Sequence, residues 1–199
     1  IGAGAQIVGR RRGLLGQTMV SVSGVVPERV AEIIDGTGAV CRIRNGHRAV
    51  VLSGTEVDLA VAVARLEQVA ATEKAERDRL ATGGAGFTPV IEPVESQLAF
   101  HHPQLAEAAD LVADWAERIG IDVGHARRLT FESIVNEVDW VAQLTQVLDA
   151  GPSWLLDVGP GDLASRLSAA QTRARGVGLV ATATKRGQRE LSVVGARPI

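Results

Sequence analysis

The chain has 199 residues, 46% of them hydrophobic, and its 21 basic and 23 acidic side chains give a formal net charge of −2 at pH 7. This length and apolar content suit one compact domain, or a domain with a subdomain, and exclude wholesale disorder. The charge balance and the scarcity of aromatic side chains argue against a nucleic-acid-binding protein, and no apolar run is long enough to span a bilayer. Cys41 is the single cysteine, which excludes an intramolecular disulfide and a multi-cysteine metal site and favours a reducing, cytoplasmic location.

Residues 1–16 are predicted to hold the end of a core helix. Ile7 and Val8 are apolar, three arginines follow at 10–12, and Gly13 comes next. Cationic side chains in the last turn with a glycine after it are typical of a helix C-terminus. Because the helical pattern is already under way at Ile1, we expect this chain to be part of a longer one.

Residues 17–98 are predicted to form a ferredoxin-like subdomain. Alternating and helical apolar patterns indicate, in order, strand Met19–Ser23, a helix opening at Pro27, strands 40–44 and Ala49–Ser53, helix Glu56–Leu80 and strand 88–94. Asn45-Gly46 is predicted to be the tight turn between the second and third strands, and the glycines of 83–86 to break the long helix. The order β-α-β-β-α-β is that of a ferredoxin-like unit.

Residues 99–199 have a different pattern, in which helices precede an alternation of strands and helices. The predicted elements are helices 105–119, 126–135 and 138–148, a short buried strand 154–158, a helix 162–173 and a strand 177–181. Strands that alternate with helices indicate a parallel α/β sheet. We therefore expect a small α+β unit inserted into, or appended to, a piece of an α/β domain.

The first candidate site is the glycine turn after the strand 154–158. Asp157-Val158-Gly159-Pro160-Gly161 is similar to the first motif of S-adenosylmethionine-dependent methyltransferases, in which backbone N–H groups approach the ligand. Leu163 stands where a third glycine would complete a dinucleotide fingerprint, and residues 177–184 contain no acidic side chain. A glycine pair alone is a weak signal, so the sequence favours a tight structural turn over a cofactor site.

The second candidate site is the histidine pair His101-His102, followed by Pro103. Histidine titrates near neutral pH and is a common general base. Adjacent side chains on an extended segment point to opposite faces, so the two rings are not expected to bind one metal, and at most one should face a site. A surface pair without function is the alternative.

Four segments in this order resemble the acyl-carrier-protein acyltransferases: 42–46, 50–54, 99–101 and 157–161. Within that family the chain is most similar to the N-terminal acetyl/acyl-transferase domain of bacterial (actinobacterial) type I fatty acid synthases. The resemblance implies an α/β-hydrolase-like core with an inserted ferredoxin-like subdomain, so that 1–16 and 99–199 belong to the core and 17–98 to the insertion.

The resemblance also implies a ping-pong acyl transfer. A serine in a Gly-x-Ser-x-Gly turn takes the acyl group from a coenzyme A thioester and passes it to the phosphopantetheine thiol of an acyl carrier protein. His101 matches the family's base, and a main-chain carbonyl near Ser133 is expected to orient its ring. Asn45 matches an Asn at the mouth of the site, and Phe100 is expected to shape the acyl pocket.

The sequence departs from the family in having no Gly-x-Ser-x-Gly, so the resemblance places the serine outside this chain. Malonyl-specific relatives carry an Arg in the helix after the serine; the matching residues 1–5 have none, which favours an acetyl or other uncharged acyl group. Expected partners are acyl-coenzyme A, the acyl carrier protein, other synthase domains and a homo-oligomer, with no bound cofactor, metal, nucleic acid or membrane. The alternatives are a malonyl/palmitoyl transferase, a methyltransferase using Gly159 and Gly161, and a non-catalytic ferredoxin-like module.

Overall fold

The computed structural model describes residues 1–16, 18–80, 87–159 and 161–195. The chain forms two compact units, Ile1–Val138 and Asp139–Ile199. The division into 1–16, 17–98 and 99–199 stays a prediction, and its boundaries fall inside the first unit. The expected helix break at 83–86 and residue Pro160 of the glycine turn lie outside the described residues.

The first unit combines a sheet with five helices among its described residues. In chain order its elements are α1 (Gly2–Arg12), β1 (Met19–Ser23), α2 (Pro27–Ile34), β2 (Val40–Gly46), β3 (Ala49–Ser53), α3 (Glu56–Leu80), β4 (Val90–Pro93), a 3₁₀ turn (Pro103–Leu105), α4 (Glu107–Arg118), α5 (Val123–Ile134) and the two-residue strand β5 (Val138–Asp139), which begins at the last residue of the unit. The sheet order is β4-β1-β3-β2-β5. Strand β1 is antiparallel to β3 and β4, and β2 is antiparallel to β3. Strands β1–β4 and helices α2 and α3 thus have the predicted order β-α-β-β-α-β, while its being an insertion stays a prediction.

The turn between β2 and β3 differs from the prediction at Asn45-Gly46. Strand β2 continues through Gly46, which pairs with Ala49, so the turn is formed by His47 and Arg48. The register of β2 against β3 shifts twice, between Cys41 and Ile43 and between Arg44 and Gly46. Arg42 and Asn45 are the extra residues at these two β-bulges, and the second bulge moves the turn towards the C-terminus.

Most other element boundaries shift by only a few residues from those predicted. Helix α3 spans the predicted residues, whereas β4 is shorter than 88–94. Leu105 belongs to the 3₁₀ turn that precedes α4 instead of to the helix itself. Helix α6 (Trp140–Asp149) starts two residues after the predicted position, because Val138 and Asp139 form β5 and the Asp139 carboxylate caps the helix by accepting a hydrogen bond from the Ala142 N–H.

The first unit contains two hydrophobic clusters. The first lies between residues 20 and 91, where β1–β4 pack against α2 and α3, with Val22, Val50 and Leu66 fully buried. The second joins residues 5–15 to residues 98–135 and includes Leu14 and Leu105. The candidate base His101 therefore follows a segment that is anchored in the second cluster.

The second unit contains α6 (Trp140–Asp149), β6 (Trp154–Asp157), α7 (Leu163–Ala174), β7 (Gly178–Ala181) and α8 (Lys185–Gly195). Strands β6 and β7 are parallel, as predicted. The prediction that β6 is buried is wrong, since Trp154 and Leu156 are 46% and 41% exposed. Among the described residues only β7 pairs with β6, and the alternate residues Trp154, Leu156 and Val158 are exposed, so one face of the strand is uncovered. Across the described ranges, the structure has no helix both long and apolar enough for a membrane span.

Candidate functional site

His101 lies on a short loop, residues 98–102, that is fixed through its main chain. The Ala99 N–H donates a hydrogen bond to the Leu14 carbonyl at 3.0 Å, and the Leu98 backbone forms a bridge with Leu15. The Ser53 hydroxyl, at the end of β3, donates to the Phe100 carbonyl at 2.7 Å. These contacts hold the loop from both hydrophobic clusters, since Leu14 belongs to the second and β3 contributes to the first.

The His101 backbone adopts a conformation that residues with a side chain rarely take. Its φ is +60°, and no other non-glycine residue of the described ranges has a positive φ. Such a conformation costs about 1–3 kcal/mol and persists where surrounding contacts impose it, often at functional sites. The hydrogen bonds to the loop carbonyls supply those contacts here.

The His101 ring contacts a main-chain carbonyl, as the resemblance implies, but the carbonyl is not that of Ser133. Nδ1 lies 2.7 Å from the Asn136 oxygen. Ser133 is still inside α5, where carbonyls point along the helix axis, whereas Asn136 follows the helix end and its carbonyl can turn towards the ring. Because a carbonyl only accepts hydrogen bonds, Nδ1 carries the proton and Nε2 of the neutral ring keeps its lone pair.

The electrostatic surroundings of His101 favour the neutral ring. Burial lowers the pKa of His101 from its ordinary value, and the nearby Arg42 guanidinium lowers it further, while the hydrogen bond to the Asn136 carbonyl acts in the opposite direction. A neutral imidazole with a free Nε2 can accept a proton at pH 7, which is the requirement for a general base.

His102 has a structural contact and is buried, with 5% of its surface exposed. Its Nδ1 accepts a hydrogen bond from the Gln104 N–H at 3.2 Å and so caps the 3₁₀ turn that follows. Burial, followed by the Arg42 charge, lowers the pKa of His102. The structure therefore separates the two imidazoles, and His101 is the one with a half-buried ring.

Asn45 and Phe100 lie on different parts of the first unit. Asn45 is half-buried at the second bulge of β2, and within the described ranges no hydrogen bond joins it to His101. The exposed Phe100 side chain borders a cavity of about 360 Å³. The other lining residues of this cavity are Gly2, Gln6, Arg10, Leu15, Gln97 and Leu98.

The expectation that residues 1–5 give the acyl site a neutral wall stays a prediction, and α1 contributes three residues to the cavity that Phe100 borders. Of that stretch only Gly2 lines the cavity, and Gln6 and Arg10 follow it at intervals of four residues on the same face of α1. Arg10 is therefore among the residues that line the cavity that Phe100 borders. The sequence argument missed it because Arg10 was assigned only to the helix C-terminus.

The glycine turn of the second unit is organised around Asp157. Its carboxylate accepts hydrogen bonds from the Gly159 N–H at 3.0 Å, and from the N–H and hydroxyl of Ser165 at 2.8 and 2.9 Å. The Gly159 and Ser165 hydrogen bonds lower the pKa of Asp157. These contacts connect β6 to α7 directly and fit the structural turn that the sequence favours.

Arg42 is the site residue that the sequence argument did not single out. Its Nε donates to the His101 carbonyl at 2.9 Å and its Nη2 to the Val135 carbonyl at 3.0 Å. An arginine on a strand gives no signal of this kind by itself, because its direction depends on the bulge. Throughout the part of the chain that is described, no three His, Cys, Asp or Glu side chains are grouped as metal ligands would be.

Comparison with known proteins agrees with this architecture. Residues 18–93 match the family model described as "Fatty acid synthase central AT domain". Among solved structures the chain is similar to FabD of Acinetobacter baumannii, with 17% identity and a TM-score of 0.69 over 98% of this chain and 63% of that one. It is also similar to the malonyl-CoA:acyl carrier protein transacylase of Xanthomonas oryzae pv. oryzae, with 17% identity and a TM-score of 0.71 over 97% and 61% of the two chains. The chain has the fold of acyltransferase domains.

A third similar structure is the acyltransferase domain of an iterative polyketide synthase in enediyne biosynthesis, with 20% identity and a TM-score of 0.62 over 97% of this chain and 52% of that one. This chain thus spans between half and two thirds of the length of these proteins. No curated protein matches the sequence.

Proposed function

We propose that this chain is part of an acyltransferase domain of a type I fatty acid synthase of the actinobacterial kind. In this proposal it moves an acetyl or other uncharged acyl group from coenzyme A to the phosphopantetheine thiol of an acyl carrier protein, in the cytoplasm. Its partners are that carrier, the other synthase domains and further copies of the synthase. The observation that carries the proposal is the His101 ring, with Nδ1 on the Asn136 carbonyl and Nε2 free, within an acyltransferase fold.

The chemistry follows from the tautomer. A serine supplied by residues outside this chain gives its hydroxyl proton to Nε2 and attacks the thioester carbonyl, so that an ester forms and coenzyme A leaves as a thiol after taking the proton back. The carrier's thiol then repeats the two steps in reverse. While Nε2 holds the proton, the Asn136 carbonyl stabilises the imidazolium through Nδ1–H.

The test is acyl transfer by the natural protein that contains this chain. We expect His101→Ala to lower the rate of acyl-enzyme formation by about 10²–10⁴, the usual contribution of a general base, with acyl-coenzyme A still bound. His47→Ala, on the exposed turn between β2 and β3, is the matched control and should keep the wild-type rate. A His101→Ala rate within about threefold of wild type would contradict the proposal.

Arg10 supports a second candidate, a malonyl transferase of the same family. Arg10 lines the cavity that Phe100 borders, and the guanidinium of an arginine pairs well with a carboxylate. If malonyl is the substrate, Arg10→Gln should lower kcat/KM for malonyl-coenzyme A and spare that for acetyl-coenzyme A, while Arg11→Gln changes neither. A wild-type preference for acetyl-coenzyme A that survives Arg10→Gln would decide for acetyl transfer.

A further inference from the structure

Arg42 joins the two chain segments that supply the base and its carbonyl partner. It is the extra residue at the first bulge of β2. One guanidinium donates to the carbonyl of His101 itself, at 2.9 Å, and to that of Val135, the residue before Asn136, at 3.0 Å. The segments lie far apart in sequence, and the planar fork of arginine can satisfy both acceptors with one rigid group.

The hydrogen bonds of Arg42 to these carbonyls are shorter than its ion pair with Glu137. The Glu137 carboxylate oxygen lies 3.9 Å from Nη1, and the Glu137 side chain is 59% exposed. The Arg42 side chain is only 24% exposed. Its hydrogen bonds therefore hold peptide groups in place, and its charge lowers the pKa of the nearby His101 ring.

The backbone of His101 needs such a restraint. With φ at +60° the residue is strained, and the carbonyls before and after its Cα are each held by a donor from the sheet: Ser53 holds that of Phe100 and Arg42 that of His101 itself. Releasing one carbonyl lets the peptide rotate and moves the imidazole. A displacement of about 1 Å is enough to cost a large part of a catalytic rate.

We propose that Arg42 is a positioning residue for the base, which fixes His101 Nδ1 against the Asn136 carbonyl by clamping the His101 and Val135 main chains together. The inference rests on the proposed function for its catalytic meaning but not for its geometry. Of the charged groups, Arg42 from β2 acts on this ring; Glu137 lies 3.9 Å from Arg42, and His102 is the next residue of the same loop.

Two substitutions distinguish the hydrogen-bonding geometry of the Arg42 guanidinium from its positive charge. In the natural protein, we expect Arg42→Lys and Arg42→Gln to lower kcat by about tenfold to a hundredfold, with KM for acyl-coenzyme A within about twofold of wild type. Lys keeps the charge, so the acid limb of the pH–rate profile stays in place. Gln removes it, so the protonated ring is favoured and the acid limb moves to higher pH.

Arg44→Lys is the matched control, because Arg44 lies on the same strand, is 31% exposed and faces Glu28 on α2 at 3.3 Å. It should keep the wild-type kcat and pH profile. A wild-type kcat in both Arg42 variants, or a raised KM with unchanged kcat, would overturn the clamp, the latter because it would make Arg42 a substrate-binding residue.

Histidine NMR on the same proteins tests the clamp without any acyl transfer. We expect a protonated Nδ1 for His101 in the wild type, and in Arg42→Gln a raised His101 pKa with loss of the single tautomer. Unchanged His101 signals in Arg42→Gln would overturn the inference. If that variant does not fold, Arg42→Lys is measured instead: loss of the single tautomer supports the clamp, and unchanged His101 signals overturn it. An inactive wild type with the expected NMR change would count against the proposed function and leave the clamp supported.

Discussion

His101 and His102 are adjacent in sequence, yet their rings have different surroundings. His101 is half-buried, with Nδ1 on the Asn136 carbonyl, and His102 is buried with Nδ1 on the Gln104 N–H. The opposite hydrogen-bonding roles of the two Nδ1 atoms leave the proton of neutral His102 on Nε2 and that of His101 on Nδ1. One imidazole can therefore act as a base through Nε2, and the other serves the fold.

Buried His102 should make stability depend on pH. Its folded pKa lies below the ordinary value of about 6.5, so the unfolded chain binds more protons as the pH falls, and the free energy of unfolding decreases below about pH 6.5. His102→Asn keeps an acceptor for the Gln104 N–H and removes the titration, so it should flatten this decrease. The check is the urea midpoint between about pH 5 and pH 8, with the exposed His47→Asn as control. An equal decrease in wild type and His102→Asn would contradict the expectation.

At the candidate site, sequence reasoning reached the base but not its geometry. The resemblance pointed to His101 and to a carbonyl contact, and counting along the chain placed that carbonyl at Ser133, three residues before Asn136. Where a helix gives way to a loop, carbonyl direction depends on the local backbone, which residue types do not specify. Arg42 was missed for a related reason, because a bulge decides where its side chain goes.

Helix α3 is the element that the sequence predicts best, and its N-terminus shows why. Thr55 and Asp58 cap each other's backbone: the Asp58 N–H donates to the Thr55 hydroxyl at 3.1 Å, and the Thr55 N–H donates to the Asp58 carboxylate at 3.4 Å. Leu59, Ala62 and Leu66 then repeat at helical spacing on the buried face. Local and tertiary signals agree here, so the start of the helix is predicted correctly.

Removing this cap should destabilise the protein by about 1 kcal/mol. Thr55→Ala leaves the Asp58 N–H without its acceptor and the Asp58 carboxylate without the Thr55 hydroxyl donor, at 2.7 Å. Thr72→Ala, at an exposed position in the middle of the same helix, is the control and should change stability by less than about 0.5 kcal/mol. Equal urea midpoints for the two variants would show that the cap contributes nothing.

The elements that the sequence misjudged depend on partners elsewhere in the fold. Asn45-Gly46 has the composition of a hairpin turn, but Gly46 pairs with Ala49 of β3, so both residues belong to β2. The apolar strand 154–158 has the composition of a buried strand, but burial requires neighbours on both faces. The composition of a segment indicates which conformations and which degree of burial it can adopt. Its contacts with other segments determine which of these the fold contains.

At the scale of the first unit, the site draws on both hydrophobic clusters. The loop of His101 is anchored beside Leu14 and Leu105 of the second cluster, while Arg42 and Ser53 reach it from strands that cover the first. Damage to the first cluster should therefore destabilise the strands that carry Arg42 and Ser53.

Leu66→Ala tests this arrangement, because Leu66 is fully buried in the first cluster. Truncation of such a side chain costs about 2–5 kcal/mol through lost contacts and a cavity. Leu80→Ala, at a 51% exposed position of the same helix, should cost less than about 0.5 kcal/mol. Urea unfolding measures both, and a loss below about 1 kcal/mol for Leu66→Ala would show that the first cluster contributes little.

The two bulges of β2 make chain length, and not only residue identity, a determinant of the site. Each inserts one residue relative to β3, and the residues inserted are Arg42 and Asn45. Deleting one residue between Cys41 and Gly46 would remove one of the two bulges and reverse the side of the sheet to which the side chains between the deletion and the remaining bulge point. A one-residue deletion in β2 that leaves every side chain of the site in the sequence would thus remove the clamp by redirecting Arg42. Scanning by substitution does not detect such an effect, because it leaves the length of the strand unchanged.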